Sequence, residues 1–290
     1  MNTYQIFTDA TADLTEELME GLPTVEVLPM NVMVGEQEFL YGPGGNITPQ
    51  SFYQMLRDGK FASTSQVNPS VFLAHFEPVL QSGMDVLYLC FSSGLSSTYQ
   101  TAQMCVADLQ AAYPERKIIC VDTLAASTGE GFLVREAARK QAEGLNIDEL
   151  AAWVEKHRLE VCHWFTVDTF VHLKHGGRVS ATSATFGSAL NIKPLLHVDG
   201  DGTLKAVEKP RGRRRAVQAQ LARMEQGWTP EMGKLVIIGH GDVPDDAQML
   251  KERVQERYPD AEIYIADVGP IIGAHTGPGV MTLFYWGSNR

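Results

Sequence analysis

The chain has 290 residues, of which 44% are hydrophobic and 20% charged, a length that suits two domains of about 150 residues each. No apolar run reaches the ~20 residues needed to span a bilayer, and the N-terminus MNTYQIFTDATADL lacks the basic and apolar regions of a signal peptide, so a cytoplasmic location is expected. A formal net charge of -11 argues against nonspecific nucleic-acid binding but not against an anionic ligand held by local donors.

Tyr4 to Phe7, Val25 to Val34, Val86 to Phe91 and Lys117 to Val121 are short apolar runs that read as buried strands. Helices fall between them. Thr48 caps one with Pro49 at its first position and Phe52, Met55 and Leu56 on one face. Pro69 starts a second, carrying Phe72, Leu73, Phe76, Val79 and Leu80. A third follows Ser96 and a fourth covers Phe132 to Ala142. Strands alternating with helices imply right-handed crossovers, and hence a three-layer α/β/α domain with a mainly parallel sheet.

Gly144-Leu145-Asn146 ends the fourth helix, and Asp148 is read as the cap of a fifth through Leu150, Ala151, Val154 and His157. The first domain is therefore expected to cover residues 1–160. The remainder, 161–290, changes character. LLHVDGDGTLKAVEK reads as a hairpin turning at Asp199 to Gly202. A helix from Arg213, a strand at Leu235 to Ile238, a helix from Asp245 and strands at Glu262 to Ala266 and Val280 to Trp286 complete a two-layer α+β domain with a mixed sheet. The four cysteines, Cys90, Cys105, Cys120 and Cys162, show no CxxC spacing and read as reduced, buried thiols.

Three segments could carry chemistry. FSSGLSSTYQ joins a strand to a helix N-terminus, where free backbone N–H groups, the hydroxyls of Ser96 and Ser97 and the flexible Gly94 suit an anion; a serine here serves equally as a plain helix cap. FASTSQVNPS places Thr64 and Ser65 in a loop before the helix at Pro69, a pattern also met in ordinary turn chemistry. GPIIGAHTGPG sets His275 in a glycine- and proline-rich turn feeding the last strand. A serine near a histidine raises acyl transfer, yet Ser97-Thr98 after Ser96 breaks the GxSxG elbow, and nothing in the spacing of Asp242 or Asp267 marks an orienting acid. His172 and His175 lie three apart with no matching metal-ligand cluster, and phosphate-loop and dinucleotide fingerprints are absent.

TSQVNPS, SSGLSSTYQTA, LKHGGRVSA, NIKPLL and GPIIGAHTGPG, in this order and spacing, resemble the DegV family over residues 4 to about 286; that family includes the fatty-acid-binding subunits of bacterial fatty acid kinase. The resemblance implies a two-domain DegV-like fold with a long-chain fatty acid held between the domains. It places Thr64 and Ser96 on the carboxylate with Ser97 and His275 beside them, and makes Arg178 a contact for the kinase partner. At position 97 many relatives carry glycine where this chain has serine. The resemblance further implies a non-catalytic subunit without cofactor of its own. ATP and Mg²⁺ belong to the separate kinase, which makes the acyl phosphate for phospholipid synthesis.

Beside this reading stand a lipid or small-carboxylate carrier or sensor without a kinase, and a serine hydrolase. The small-residue segment SATSATFGSALNI is a candidate wall for the acyl tail, or simply a closely packed helix. Arg211, Arg213, Arg214 and Arg215 form the dense basic run, read either as a solvated helix start or as a docking surface for the kinase or for anionic membrane during transient contact.

Overall fold

The computed structural model describes residues 3–179 and 191–290, so the small-residue stretch 180–190 lies outside the described residues. The chain opens with β1 (Tyr4–Asp9), a 3-10 turn (Ala10–Ala12) and β2 (Val25–Leu28). The run Val25 to Val34, read as one strand, is two. Pro29 has no N–H for a ladder and separates β2 from β3 (Met30–Val34), which joins a different sheet. That small antiparallel sheet pairs β3 with β4 (Gln37–Tyr41) and β5 (Ala62–Thr64), with α1 (Pro49–Arg57) between them in sequence. Neither β4 nor β5 was expected, because a three-residue strand and a half-exposed one carry no usable periodicity. FASTS is thus a strand end rather than a loop.

Next come α2 (Pro69–Gln81), β6 (Asp85–Cys90), α3 (Thr98–Ala112), β7 (Ile118–Asp122), α4 (Thr128–Ala142) and α5 (Ile147–His157). The first sheet, in order β2-β1-β6-β7, is wholly parallel. Alternation along its strands splits the apolar side chains. Phe7 and Tyr88 pack with Phe72 and Phe76 under α2 and α3, while Ile6, Leu87 and Leu89 meet Val134, Leu150 and Val154 of α4 and α5. This is the expected three-layer arrangement. The cap of α5 is Asn146, not Asp148. Asn146 Oδ1 accepts from the N–H groups of Asp148 (3.0 Å) and Glu149 (3.1 Å), and Glu149 returns the bond to Asn146 N (2.9 Å), completing a capping box.

The rest comprises β8 (Val161–Thr166), α6 (Val171–His175), β9 (Leu195–Val198), β10 (Leu204–Glu208), α7 (Arg213–Gly227), β11 (Leu235–His240), α8 (Pro244–Arg257), β12 (Glu262–Asp267), α9 (Pro270–Thr276) and β13 (Met281–Trp286). Its sheet has the order β10-β9-β8-β13-β11-β12 and is mixed, with only β11 and β12 parallel. Trp164, Val236, Ile238, Leu283 and Tyr285 are buried with residues of α7 and α8 on one face. The other face meets the first half. Phe132 and Leu133 of α4 pack with Val161, Ile237, Phe284 and Trp286.

Helix α4 is therefore shared between the two sheets, and its sequence explains how. A Cβ at Gly129 would lie 2.3 Å from His163 Nε2 and 2.6 Å from Phe284 Cδ1, so only glycine lets the helix settle on β8 and β13. Part of the basic run is also structural. Arg213 is largely buried, with Nη2 donating to Asp168 Oδ1 (2.7 Å) and the Gly279 carbonyl (2.8 Å) and Nε facing Asp246 at 2.9 Å, whereas Arg211, Arg214 and Arg215 are exposed.

Candidate functional site

A cavity of about 790 Å³, open solvent at its mouth included, lies between the two sheets. Phe91, Phe165, Ile271, Ile272, Val280 and Phe284 give its walls an apolar surface. Thr64, Ser65, Gln66, Ser96, Arg178 and His275 also line it, so hydroxyls, an amide, a guanidinium and an imidazole converge on one apolar slot.

These groups arrive from separate elements. Thr64 ends β5; Ser96 sits just before α3; His275 lies in the last turn of α9, a short helix where the sequence reading placed a turn. Thr64 Oγ1 lies 2.8 Å from His275 Nε2. Ser96 Oγ accepts from Thr98 N (3.2 Å) and pairs with Thr98 Oγ1 (3.0 Å), which itself accepts from Val67 N (3.4 Å). Gln66 Nε2 donates to Thr101 Oγ1 at 2.8 Å. The segments TSQVN and SSTYQT are therefore laced together through the first turn of α3.

Arg178, exposed at the mouth, closes the ring. Its Nε donates to the Leu95 carbonyl (3.2 Å) and its Nη1 to the Gly176 carbonyl (2.6 Å), tying the end of α6 to the loop that carries Ser96. Burial, reinforced by the Arg178 guanidinium and the neighbouring His175, pushes His275 down to about 4. Its imidazole is neutral at physiological pH. Ser97 behaves differently from its neighbour: it takes the N-cap position of α3, is exposed and is not among the residues lining the cavity.

Two residues that the sequence reading passed over belong to the cluster. Gln66 and Gly176 enter the sequence reading only as parts of the quoted motifs. A Cβ at Gly176 would lie 2.1 Å from His275 Nδ1, so the glycine is the wall against which the imidazole rests. No local signal announces such a contact, because the two residues lie far apart in sequence.

Away from the mouth the cavity reaches Thr11, Ser127, His163 and Thr282, whose polar atoms are engaged within the protein except His163 Nε2, which is buried without a hydrogen-bond partner. Ser127 Oγ donates to Asp13 Oδ2 (2.7 Å), Thr282 Oγ1 accepts from Gly239 N (2.8 Å), and His163 Nδ1 lies 2.7 Å from the Val161 carbonyl. Thr11 Oγ1 is within hydrogen-bonding distance of both Asp9 and Glu130. One hydroxyl proton cannot serve two carboxylates, so one of the two acids is protonated; burial pushes both upward, Glu130 strongly. Thr11 and Ser127, rather than the acids they bond, face the cavity.

The arrangement disfavours a serine nucleophile. His275 directs Nε2 to Thr64 rather than Ser96, and its Nδ1 faces Gly176 instead of an orienting carboxylate. Asp242 pairs with Arg57 and Asp267 accepts from Gln50, both on α1. Of the two other histidines considered, His172 and His175 stand beside the exposed Phe61, with ring centroids 5.5 and 4.6 Å away.

Residues 3–287 match a family described as "Uncharacterised protein, DegV family". The chain belongs to the DegV family. A DegV domain-containing protein of Clostridium perfringens is 38% identical over 290 residues, covering 100% of this chain and 99% of that one. Among solved structures, a fatty-acid-binding DegV family protein from Thermus thermophilus superposes with a TM-score of 0.86 at 28% identity, covering 99% and 100% of the two chains. The fatty acid kinase B3 protein of Streptococcus pneumoniae, loaded with linoleic acid, shares the DegV fold at a TM-score of 0.86 and 21% identity over 98% and 99%. Among the described residues of this chain no helix is long and apolar enough to cross a membrane.

Proposed function

We propose that this DegV protein binds a long-chain fatty acid, with its carboxylate at Thr64 and Ser96, His275 beside them and the acyl tail along the apolar cavity. The observation that carries the reading is the combination of a mostly apolar cavity with a neutral hydroxyl-imidazole cluster among its walls. Hydroxyl donors stabilise a carboxylate without a buried cation that would be stranded when the ligand leaves. The tail supplies the affinity: at about 0.8 kcal/mol per buried CH₂, some fifteen methylenes contribute on the order of 12 kcal/mol before the costs of binding. The Thermus thermophilus relative, which binds fatty acid, supports the ligand class.

In the second part of the reading, the protein presents the bound acid to a separate ATP-dependent kinase. A carboxylate oxygen attacks the γ-phosphorus of ATP, ADP leaves, and an acyl phosphate results, with ATP and Mg²⁺ held by the partner. The fold shared with the Streptococcus pneumoniae kinase protein supports this part. Arg178, exposed beside the cavity mouth, is the residue proposed to meet the kinase. The protein itself then serves as a binding subunit that positions its ligand in the cytoplasm.

Native mass spectrometry of protein purified from cells tests the first part. A co-purified long-chain fatty acid is expected; an empty protein that hydrolyses model esters would sink the reading. Mixing the loaded protein with a fatty acid kinase and ATP tests the second, and absence of acyl phosphate there leaves a carrier.

A further inference from the structure

We propose that the inner end of the cavity is electronegative, through one buried carboxylate, Asp9, behind Thr11 and the bare imidazole nitrogen of His163, and that it selects long-chain acids with an apolar or cationic distal end against α,ω-dicarboxylic acids. The choice of acyl ligands rests on the fatty-acid reading above; the charge assignment does not.

Asp9 on β1 and Glu130 on α4 are fully buried, and the groups that bond them are hydroxyls and a backbone N–H rather than cations. One of the pair is protonated, because the Thr11 hydroxyl has a single proton for both. Counting donors shows which. Asp9 accepts from the Thr11 N–H (3.0 Å) and the Tyr88 hydroxyl (2.6 Å) and also faces Thr11 Oγ1. Glu130 accepts from Thr8 Oγ1 (3.0 Å) and lies 2.7 Å from Thr11 Oγ1. Asp9, with the larger set of donors, is the more stable anion. Glu130 therefore donates to Thr11 Oγ1, Thr11 donates to Asp9 Oδ1, and the negative charge rests one hydroxyl behind the cavity wall. Asp13, pushed up to about 8 by burial, is mostly protonated at pH 7 and adds little to it.

His163 adds a potential of the same sign. Its Nδ1 lies 2.7 Å from the Val161 carbonyl, which can only accept, so Nδ1 carries the proton. The lone pair is then on Nε2, which is buried without a partner on the ring edge that faces Gly129, two residues from Ser127. Arg290 stands on the Nδ1 side, its Nη1 3.4 Å from the same Val161 carbonyl and its other N–H groups turned to the carbonyls of Arg158 and Leu124. With Arg178 at the mouth, the cavity runs from positive to negative. A distal carboxylate meets its own sign there in a region of low dielectric, where charges act strongly. A distal ammonium is attracted, and a methyl end is indifferent to the field.

Binding of hexadecanedioate and 16-aminohexadecanoate to delipidated, full-length protein at pH 7 separates charge from burial. Burial alone penalises the two distal ends to a similar degree, since a carboxyl and an amine each lie roughly 3 pH units from neutralisation. The amine is expected to bind at least about 10-fold more tightly. Equal affinities, or a tighter diacid, overturn the proposal. Asp9→Asn should shrink the ratio about 5-fold or more, and an unchanged ratio overturns the role of Asp9. If that variant does not fold, the wild-type ratio and infrared spectroscopy still decide. Infrared difference spectra at pH 7 should show a protonated-carboxyl band that is lost in Glu130→Gln; a spectrum unchanged by Glu130→Gln, or such a band lost in Asp9→Asn, overturns the charge assignment. A wild-type protein that binds neither these acids nor hexadecanoate refutes the fatty-acid reading, and the infrared spectra then test the charge assignment alone.

Discussion

Asp13 accepts a hydrogen bond from the backbone N–H of Gly269 at 3.0 Å, joining the turn after β1 to the start of α9, the helix that carries His275. Its second oxygen accepts from Ser127 Oγ at 2.7 Å, at the start of α4. One carboxyl thus ties together three segments that frame the cavity. Burial, aided by Asp267 and Asp9 and opposed by these two hydrogen bonds, pushes its pKa up to about 8.

The sign of the resulting pH effect follows from linkage. The unfolded carboxyl titrates near 3.8 and the folded one near 8, so the folded chain holds the extra proton between those values. The stability contribution is fully present below about pH 4 and is lost as pH rises through about 8. Asp13→Asn cannot ionise and should flatten that slope, its melting temperature improving relative to wild type from about pH 5 to about pH 9. A difference that stays constant across this range would contradict a neutral Asp13.

Gly129→Ala tests the seat of α4 on the second sheet. With Cβ 2.3 Å from His163 Nε2 and 2.6 Å from Phe284 Cδ1, denaturant unfolding should show a loss of about 1–3 kcal/mol. Adding His163→Ala should recover part of that loss, and strict additivity would show that the two residues do not compete for the same space.

The head-group cluster is tested by Thr64→Ala combined with Ser96→Ala. Hexadecanoate affinity should fall about 100-fold, with a smaller loss of about 1–2 kcal/mol in stability because Thr64 also bonds His275 and Ser96 accepts from Thr98 N. Unchanged affinity would mean that the carboxylate lies elsewhere.

Because His275 is held down to about 4, it stays neutral over the range in which a free histidine titrates. Fatty-acid affinity should accordingly show no transition near pH 6.5, with the bound acid ionised throughout. A midpoint near 6.5 that disappears in His275→Gln would refute the neutral imidazole.

The basic run should divide on mutation. Arg211, Arg214 and Arg215 to glutamine should weaken binding to anionic vesicles or the kinase and leave fatty-acid affinity intact. Arg213→Gln should instead cost about 1–3 kcal/mol of stability, since this arginine links Asp168, Asp246 and the Gly279 carbonyl. Equal behaviour of all four would show that the ion pairs carry no structural weight.

Much of this architecture was legible in the chain itself. Long periodic elements such as α1 and α2, the buried strands β1, β6 and β11, and the hairpin of β9 and β10 announce themselves through burial patterns of local period. The motif residues Thr64, Ser96 and His275 could be singled out because hydroxyls and imidazole beside glycine and proline are chemically conspicuous. Short or half-exposed pieces were not legible. β4 and β5 carry too few alternations, Pro29 hid a change of sheet inside one apolar run, and Asn146 and Asp148 are equally good caps until the turn is built.

Composition and periodicity by themselves determined the layers and the kinds of residue available for an anion, because both depend on neighbours within a few positions. Tertiary structure alone decided how those residues are used. It placed Nε2 of His275 on Thr64, set Gly176 against Nδ1, left Ser97 outside the cavity and drew Arg213 into ion pairs. Each of these is a contact between segments far apart in the chain, fixed by the packing of α4, α6 and α9 between two sheets, and no local pattern encodes such a distance.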